Sequence, residues 1–290
     1  MKEQLKIGLI QTTVDLNLAW DSAKGTPITM HKYEADRVWE EIKSGFSTIK
    51  TEAEENIPQI VILPELTIPG HRKFALGKIA NKMGLVIIAG LDFVESGDDN
   101  VKNQAVIIVP NKWPQKTKGY RSEIIYFGKR FFSNEENDYF KGKERNGLPT
   151  PFIHILDAGD FGRLGVAICS DFFDIERFTI YKGKIHHLLI ISYNKDVSSF
   201  FFLAEAISRL VYCNVVVCNT GHYGGSVVFS PYKEPYKRNI FKLEGKGLFN
   251  VQIVSLPVRS LDEAMKTDKA TEFKSRPPGY DEALLKDKSL

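Results

Sequence analysis

Apolar residues recur along the chain in two rhythms. Unbroken runs such as Ile60-Val-Ile-Leu63, Leu164-Gly-Val-Ala-Ile168 and Leu188-Leu-Ile-Ile191 are too short for a helix and too apolar to leave one face in water. They read as strands buried on both faces. Between such runs, Val38, Ile42, Phe46 and Ile49 recur at a spacing of three to four, which predicts a helix with one core-facing stripe. The same reading predicts strands over 6–14, 85–93, 104–109, 124–127, 152–156, 187–192, 214–218, 225–229 and 247–256. It predicts further helices over 72–83, 174–181 and 200–212, and a polar loop between 127 and 152.

Alternation of strand and helix argues for an α/β layered domain in which helices cover sheets too apolar to face solvent. No linker and no repeat of 20 to 50 residues interrupts it, so 1–258 is expected to be one domain. The remainder, 259–290, is rich in Lys, Asp and Glu and contains Pro277-Pro278-Gly279. It reads as a polar C-terminal tail or arm.

Charge then removes several function classes. With 39 Lys and Arg against 36 Asp and Glu, the net charge of +3 is too small to argue for nucleic acid or an anionic membrane as partner. Only Cys169, Cys213 and Cys218 occur, which is not the framework of a disulfide-stapled secreted protein. The charged start, Met1-Lys2-Glu3-Gln4-Leu5-Lys6, lacks the apolar stretch of a signal peptide, and no apolar run reaches the roughly 18 residues of a membrane span. A cytoplasmic location is the expectation.

Three polar residues stand where apolar runs end: Glu65, Lys129 and Cys169. Strand ends are where α/β sheets gather their ligand sites. A cysteine is nucleophilic as thiolate and needs a neighbouring base or positive charge to act at neutral pH. Glu65 supplies a base and Lys129 a charge for the oxyanion. Taken singly, each has a bland alternative, since a lone Cys on an apolar strand is usually a packing residue and a lone Glu or Lys a solvated one. His186-His187 is a poor metal candidate, because neighbours on a strand point to opposite faces. Neither GxxxxGK[ST] nor GxGxxG occurs, so no nucleotide cofactor and no metal are expected.

The surroundings of these residues decide between the readings. Ile60-Val-Ile-Leu-Pro-Glu65 resembles the glutamate motif of the nitrilase (carbon–nitrogen hydrolase) superfamily, Tyr126-Phe-Gly-Lys129-Arg-Phe-Phe its lysine motif, and Gly165-Val-Ala-Ile-Cys169-Ser-Asp171 its nucleophile turn. Further on, Arg209 before the strand ending in Asn219, and then Gly224-Gly225-Ser226, are similar to later blocks of that family. The resemblance implies a four-layer αββα sandwich with Glu65, Lys129 and Cys169 as catalytic triad. It also implies a second glutamate after the lysine, for which Glu136 is the nearest counterpart with Glu135 adjoining, and substrate contacts at Ser170 and Asn194. Subunits are expected to pair, as a homodimer or larger, through helices after the nucleophile. The implied reaction is hydrolysis of a small amide, with a nitrile or ureide as variants, and no cofactor. Two departures, Ser170 with Phe172-Phe173-Asp174 after the cysteine and the long approach 110–124 to Lys129, bear on the substrate. The competing readings are a catalytically silent binding or assembly module and a papain-like peptidase. The second is disfavoured by the strand context of Cys169.

Overall fold

The computed structural model describes residues 1–24, 26–97, 99–114, 121–267 and 271–280. In chain order the two main sheets are built from β1 (Gln4–Gln11), β2 (Ile60–Ile62), β3 (Val86–Gly90), β4 (Gln104–Pro110), β5 (Ser122–Gly128), β6 (Ile155–Asp157), β7 (Arg163–Ile168), β8 (His187–Ser192), β9 (Asn214–Asn219), β10 (Ser226–Phe229), β11 (Asn239–Leu243) and β12 (Asn250–Pro257). The first sheet runs β12-β1-β2-β3-β4-β5 and the second β11-β10-β9-β8-β7-β6. In each, three central strands are parallel: β1, β2 and β3 in the first, β7, β8 and β9 in the second. Antiparallel strands flank both trios.

Parallel strands must be covered on both faces, and the side-chain period of two divides their apolar residues accordingly. Ile60 and Ile62 join Ile7, Leu9, Val86 and Ile88 in the core shared with Val166, Ile168, Leu189 and Val216 of the other sheet. Val61 and Ile87 point the other way, into a cluster with Val38, Ile42, Phe46 and Ile49. Helix α1 (Lys32–Lys50) carries that stripe and packs on β1 and β12, whereas α2 (Lys73–Met83) covers β3, β4 and β5. On the second sheet α3 (Asn134–Gly142) takes no part, α4 (Ile175–Tyr181) follows the turn that carries Cys169, and α5 (Val197–Ile207) lies on β9 and β10. The result is the expected αββα layering.

Elements and expectations differ at four places. The polar loop expected between 127 and 152 contains α3, and a small sheet of Val94–Ser96, Asn100–Lys102 and Asn146–Gly147 lies nearby. β11 differs from expectation because Ile240, Phe241 and Leu243 are too few and too interrupted by polar residues to set an apolar rhythm. The helix expected over 200–212 begins three residues earlier and ends in a widened turn, Ser208–Tyr212. In the segment expected to be a polar tail, α6 (Arg259–Lys266) buries Leu261, Ala264 and Met265 against Tyr212, and Phe273 and Tyr280 join the same cluster. Residues 281–290 and the loop stretch 115–120 lie outside the described residues. Among the described residues no helix is long and apolar enough to cross a membrane.

In the excursion between β1 and α1, the buried Asp92 carboxylate fastens Trp20 and Met30. Asp92 accepts from Trp20 Nε1 at 3.0 Å, from the Met30 backbone N–H at 2.6 Å and from that of Phe93 at 2.8 Å.

Candidate active site

Three turns at strand ends build the site. After β2 the chain reverses at Leu66, whose φ is 53°, and Gly90 on the neighbouring strand holds this turn. The Gly90 carbonyl accepts from the Thr67 and Ile68 N–H groups at 3.2 and 2.9 Å, and its own N–H donates to Pro64. A Cβ at Gly90 would stand 2.4 Å from the Glu65 Cα, so any side chain there would displace Glu65. Lys129 follows β5, and its backbone is fixed by the Asn103 carbonyl and the Thr150 N–H, both at 2.9 Å. Cys169 follows β7 with φ at 46°, a left-handed conformation that costs a non-glycine residue about 1–3 kcal/mol.

Asp171 holds the strained turn. Its buried carboxylate accepts from the Arg130 and Phe131 N–H groups at 3.0 and 2.9 Å and from the Arg177 guanidinium at 3.1 Å. Burial pushes this carboxyl up, against the pull of Arg177 and the two N–H groups. Asp171 thus ties the turn carrying Cys169, in the second sheet, to the residues just after Lys129, in the first.

The charged groups form one buried network. Lys129 Nζ donates to Glu65 Oε1 at 2.8 Å and to Glu136 Oε2 at 2.6 Å, and the lysine and Glu65 are each 1 % exposed. Asn103 Nδ2 reaches the same two carboxylates, at 2.7 Å each. The second oxygen of Glu65 accepts from the Tyr193 N–H at 2.8 Å. Glu136 is also the third residue of α3, where its carboxylate accepts from the Ser133 N–H while Ser133 Oγ accepts from the Glu136 N–H, a reciprocal helix cap.

This arrangement sets the protonation states. Burial by itself would lower the Lys129 pKa, but the negative charges of Glu65 and Glu136 outweigh it and hold the ammonium. The Cys169 thiol is pushed well up by burial and then by Glu65 and Glu136, against the opposing pull of Lys129. At rest the pair is therefore thiol and ammonium.

A cavity of about 770 Å³ opens on Glu65, Lys129, Glu136 and Cys169 and is also lined by Asn194. Asn194 is held by Asn219, whose Oδ1 accepts its N–H at 2.9 Å and whose Nδ2 donates to its carbonyl at 2.8 Å. The glycine pair beyond β9 has a steric reason: Gly225 has φ at +84°, and a Cβ there would stand 2.3 Å from Val197 Cγ1.

The site residues expected from the sequence thus meet at one place, with one correction and one choice resolved. Ser170 does not line the cavity, because its hydroxyl donates to the Phe131 carbonyl; of that residue the backbone N–H beside Cys169 is the remaining candidate contact. Between the two adjoining glutamates it is Glu136 that meets Lys129, while Glu135 pairs with Lys195 at 2.7 Å. His222 stacks on Tyr193 outside the cavity lining, and Arg209 is exposed. His186 accepts from the Arg163 N–H and faces Asp262, and His187 faces the Phe161 carbonyl, so both serve packing.

Sequence reasoning missed Asn103, Tyr193 and Trp20. Tyr193 follows a strand end, the same signal that singled out Glu65 and Cys169; Asn103 has no comparable local mark.

Compared with known proteins, the chain matches no protein-family model and no curated protein by sequence. Its architecture does match solved structures. An amidase from Nesterenkonia sp. superposes with a TM-score of 0.61 at 15% identity, over 91% of this chain and 94% of that one. The fold is that of the nitrilase superfamily. Nit3 of Saccharomyces cerevisiae, a member of branch 10 of that superfamily, agrees at a TM-score of 0.62 and 14% identity over 91% and 93% of the two chains. XC1258 from Xanthomonas campestris, a CN-hydrolase superfamily protein with an arsenic adduct in its active site, gives 0.61 at 15% identity over 93% and 99%. A mutant of the Nesterenkonia amidase carries the acetamide moiety of fluoroacetamide covalently at its active-site cysteine.

Proposed function

We propose that the protein is a carbon–nitrogen hydrolase that cleaves a non-peptide amide through a thioester on Cys169. One observation carries the reading: a lysine ammonium held between two carboxylates, 2.8 and 2.6 Å away, in the cavity that a cysteine on a strained turn also lines. The covalent cysteine adduct of the Nesterenkonia amidase and the shared fold support it.

As Cys169 Sγ attacks the amide carbon, its proton passes to Glu65 and the carbonyl oxygen becomes an oxyanion. Lys129 and the Ser170 backbone N–H stabilise that charge. Collapse of the intermediate expels the amine, which takes the proton from Glu65. Water then loses a proton to the regenerated Glu65 carboxylate and its oxygen attacks the thioester, releasing the acid and restoring the thiol. Glu136 and Asn103 orient Lys129 and Glu65 throughout. The cycle asks for no cofactor and no metal. Subunit pairing is part of the same proposal: Ile175, at 80 % exposure, and Phe202, at 67 %, leave apolar surface on the helices after the nucleophile, as a homodimer contact requires.

The test is ammonia release from a panel of short amides, ureides and nitriles. The wild type is expected to release ammonia from at least one, and Cys169→Ala to lower that rate by about a thousandfold or more while staying folded. Full activity in Cys169→Ala, or silence of the folded wild type on every compound, would overturn the reading.

A further inference from the structure

The cavity is larger than a short aliphatic amide needs, and one side of it has a distinct composition. Trp20, Phe93, Tyr139, Tyr193 and Tyr223 all line it and touch in series. Tyr139 stacks on Phe93 at 5.8 Å, Phe93 meets Trp20 at 5.7 Å, Trp20 meets Tyr193 edge-on at 6.1 Å, and Tyr193 meets Tyr223 at 5.5 Å. The wall is continuous with the reactive groups, because the N–H of Tyr193 binds Glu65 Oε2.

The polar handles of these rings are turned into the protein. Trp20 Nε1 donates to Asp92 at 3.0 Å and the Tyr193 hydroxyl to the Val14 carbonyl at 2.9 Å. The Tyr139 hydroxyl is buried as well. What these three residues can offer a ligand is ring surface, and hydrogen bonds that do not face the ligand lock Trp20 and Tyr193 in position. Rings fixed in tilted and edge-on arrays accept another ring in the same geometries and give less to a flexible alkyl chain. Preorganisation of this kind lowers the ordering cost of binding. A substrate as small as acetamide would leave the wall facing water.

We propose that the cavity selects an arylalkanamide: an amide whose non-reacting end carries an aromatic ring, seated against Trp20, Phe93, Tyr139 and Tyr193 while the amide carbon lies at Cys169. The inference rests on the hydrolase reading for the position of the amide and on the aromatic wall for the identity of the tail.

The experiment compares 3-phenylpropanamide with hexanamide, which has similar reach but no ring, and with acetamide, using the full chain. The expected result is a kcat/KM for 3-phenylpropanamide at least tenfold above that for hexanamide and higher still over acetamide. Equal values for the phenyl and hexyl compounds overturn the proposal. If none of the three releases ammonia, calorimetric binding to Cys169→Ala decides the tail separately from the hydrolase reading, which the wider panel of amides, ureides and nitriles tests. Tenfold tighter binding of 3-phenylpropanamide than of hexanamide supports the aromatic subsite; equal or undetectable binding overturns it. In Trp20→Leu the phenyl-to-hexyl ratio is expected to fall at least fivefold, and an unchanged ratio counts against the wall. Should that variant not fold, Tyr139→Leu makes the same measurement.

Discussion

At the scale of single residues, the three cysteines have separate fates that one reagent reads out. Cys213 and Cys218 are wholly enclosed and burial pushes both thiols far up, whereas Cys169 is 8 % exposed and opens on the cavity. Iodoacetamide is expected to label Cys169 alone in the native protein, faster as pH rises, because the resting group is a thiol and the thiolate reacts. Peptide mapping that finds the three labelled at equal rates would contradict the site. Asn103 is the second residue-scale case, since one amide nitrogen serves both Glu65 and Glu136. Removing a donor to buried carboxylates costs roughly 1–3 kcal/mol, so Asn103→Ala should lose about 5- to 150-fold in kcat with KM less affected. A kcat within twofold of wild type would show that Lys129 suffices to orient the pair.

At the scale of elements, the excursion between β1 and α1 is held in part by a titrating group. Burial, opposed by its three hydrogen-bond donors, raises the Asp92 carboxyl from its ordinary value to about 6. A carboxyl raised in the fold favours its protonated form there. Its contribution to stability is therefore fullest below the unfolded pKa of roughly 4 and is lost as pH rises through about 6, a change on the order of 3 kcal/mol. Thermal unfolding followed from pH 4 to 7 should show a steeper loss in wild type than in Asp92→Asn; parallel curves would remove Asp92 as the cause. Elements were legible where apolar rhythm sets them, as in β2, β7, β8 and α1, whose buried faces leave one register open. They were illegible where polar residues make the element. Helix α3 starts on Ser133 and Glu136, a capping pattern visible in the sequence but embedded in a stretch too polar to read by periodicity. Helix α6 hides its short apolar stripe among charges, so a packed segment resembled a tail. The site follows the same division: Glu65, Lys129 and Cys169 end apolar runs, while Asn103 is brought to them by strand pairing alone.

At the scale of the molecule, apolar surface remains on the two helices after the nucleophile. Ile175 and Phe202 stand well exposed there, and Leu210, in the widened turn after α5, is 57 % exposed. Sedimentation is expected to give a dimer or larger species, and Ile175→Glu combined with Phe202→Glu to shift it to monomer without unfolding. A wild-type monomer at micromolar concentration would refute the pairing. A last consequence comes from the placement of the proposed base and nucleophile on opposite sheets. Glu65 and Lys129 belong to the first and Cys169 to the second, with Asp171 spanning the gap. The molecule is in effect a calliper: its jaws are two independently hydrogen-bonded sheets, and the distance between them is set by how interdigitated side chains mesh. On the proposed mechanism, competence is therefore a property of how two slabs are stacked, because base and nucleophile come from different ones.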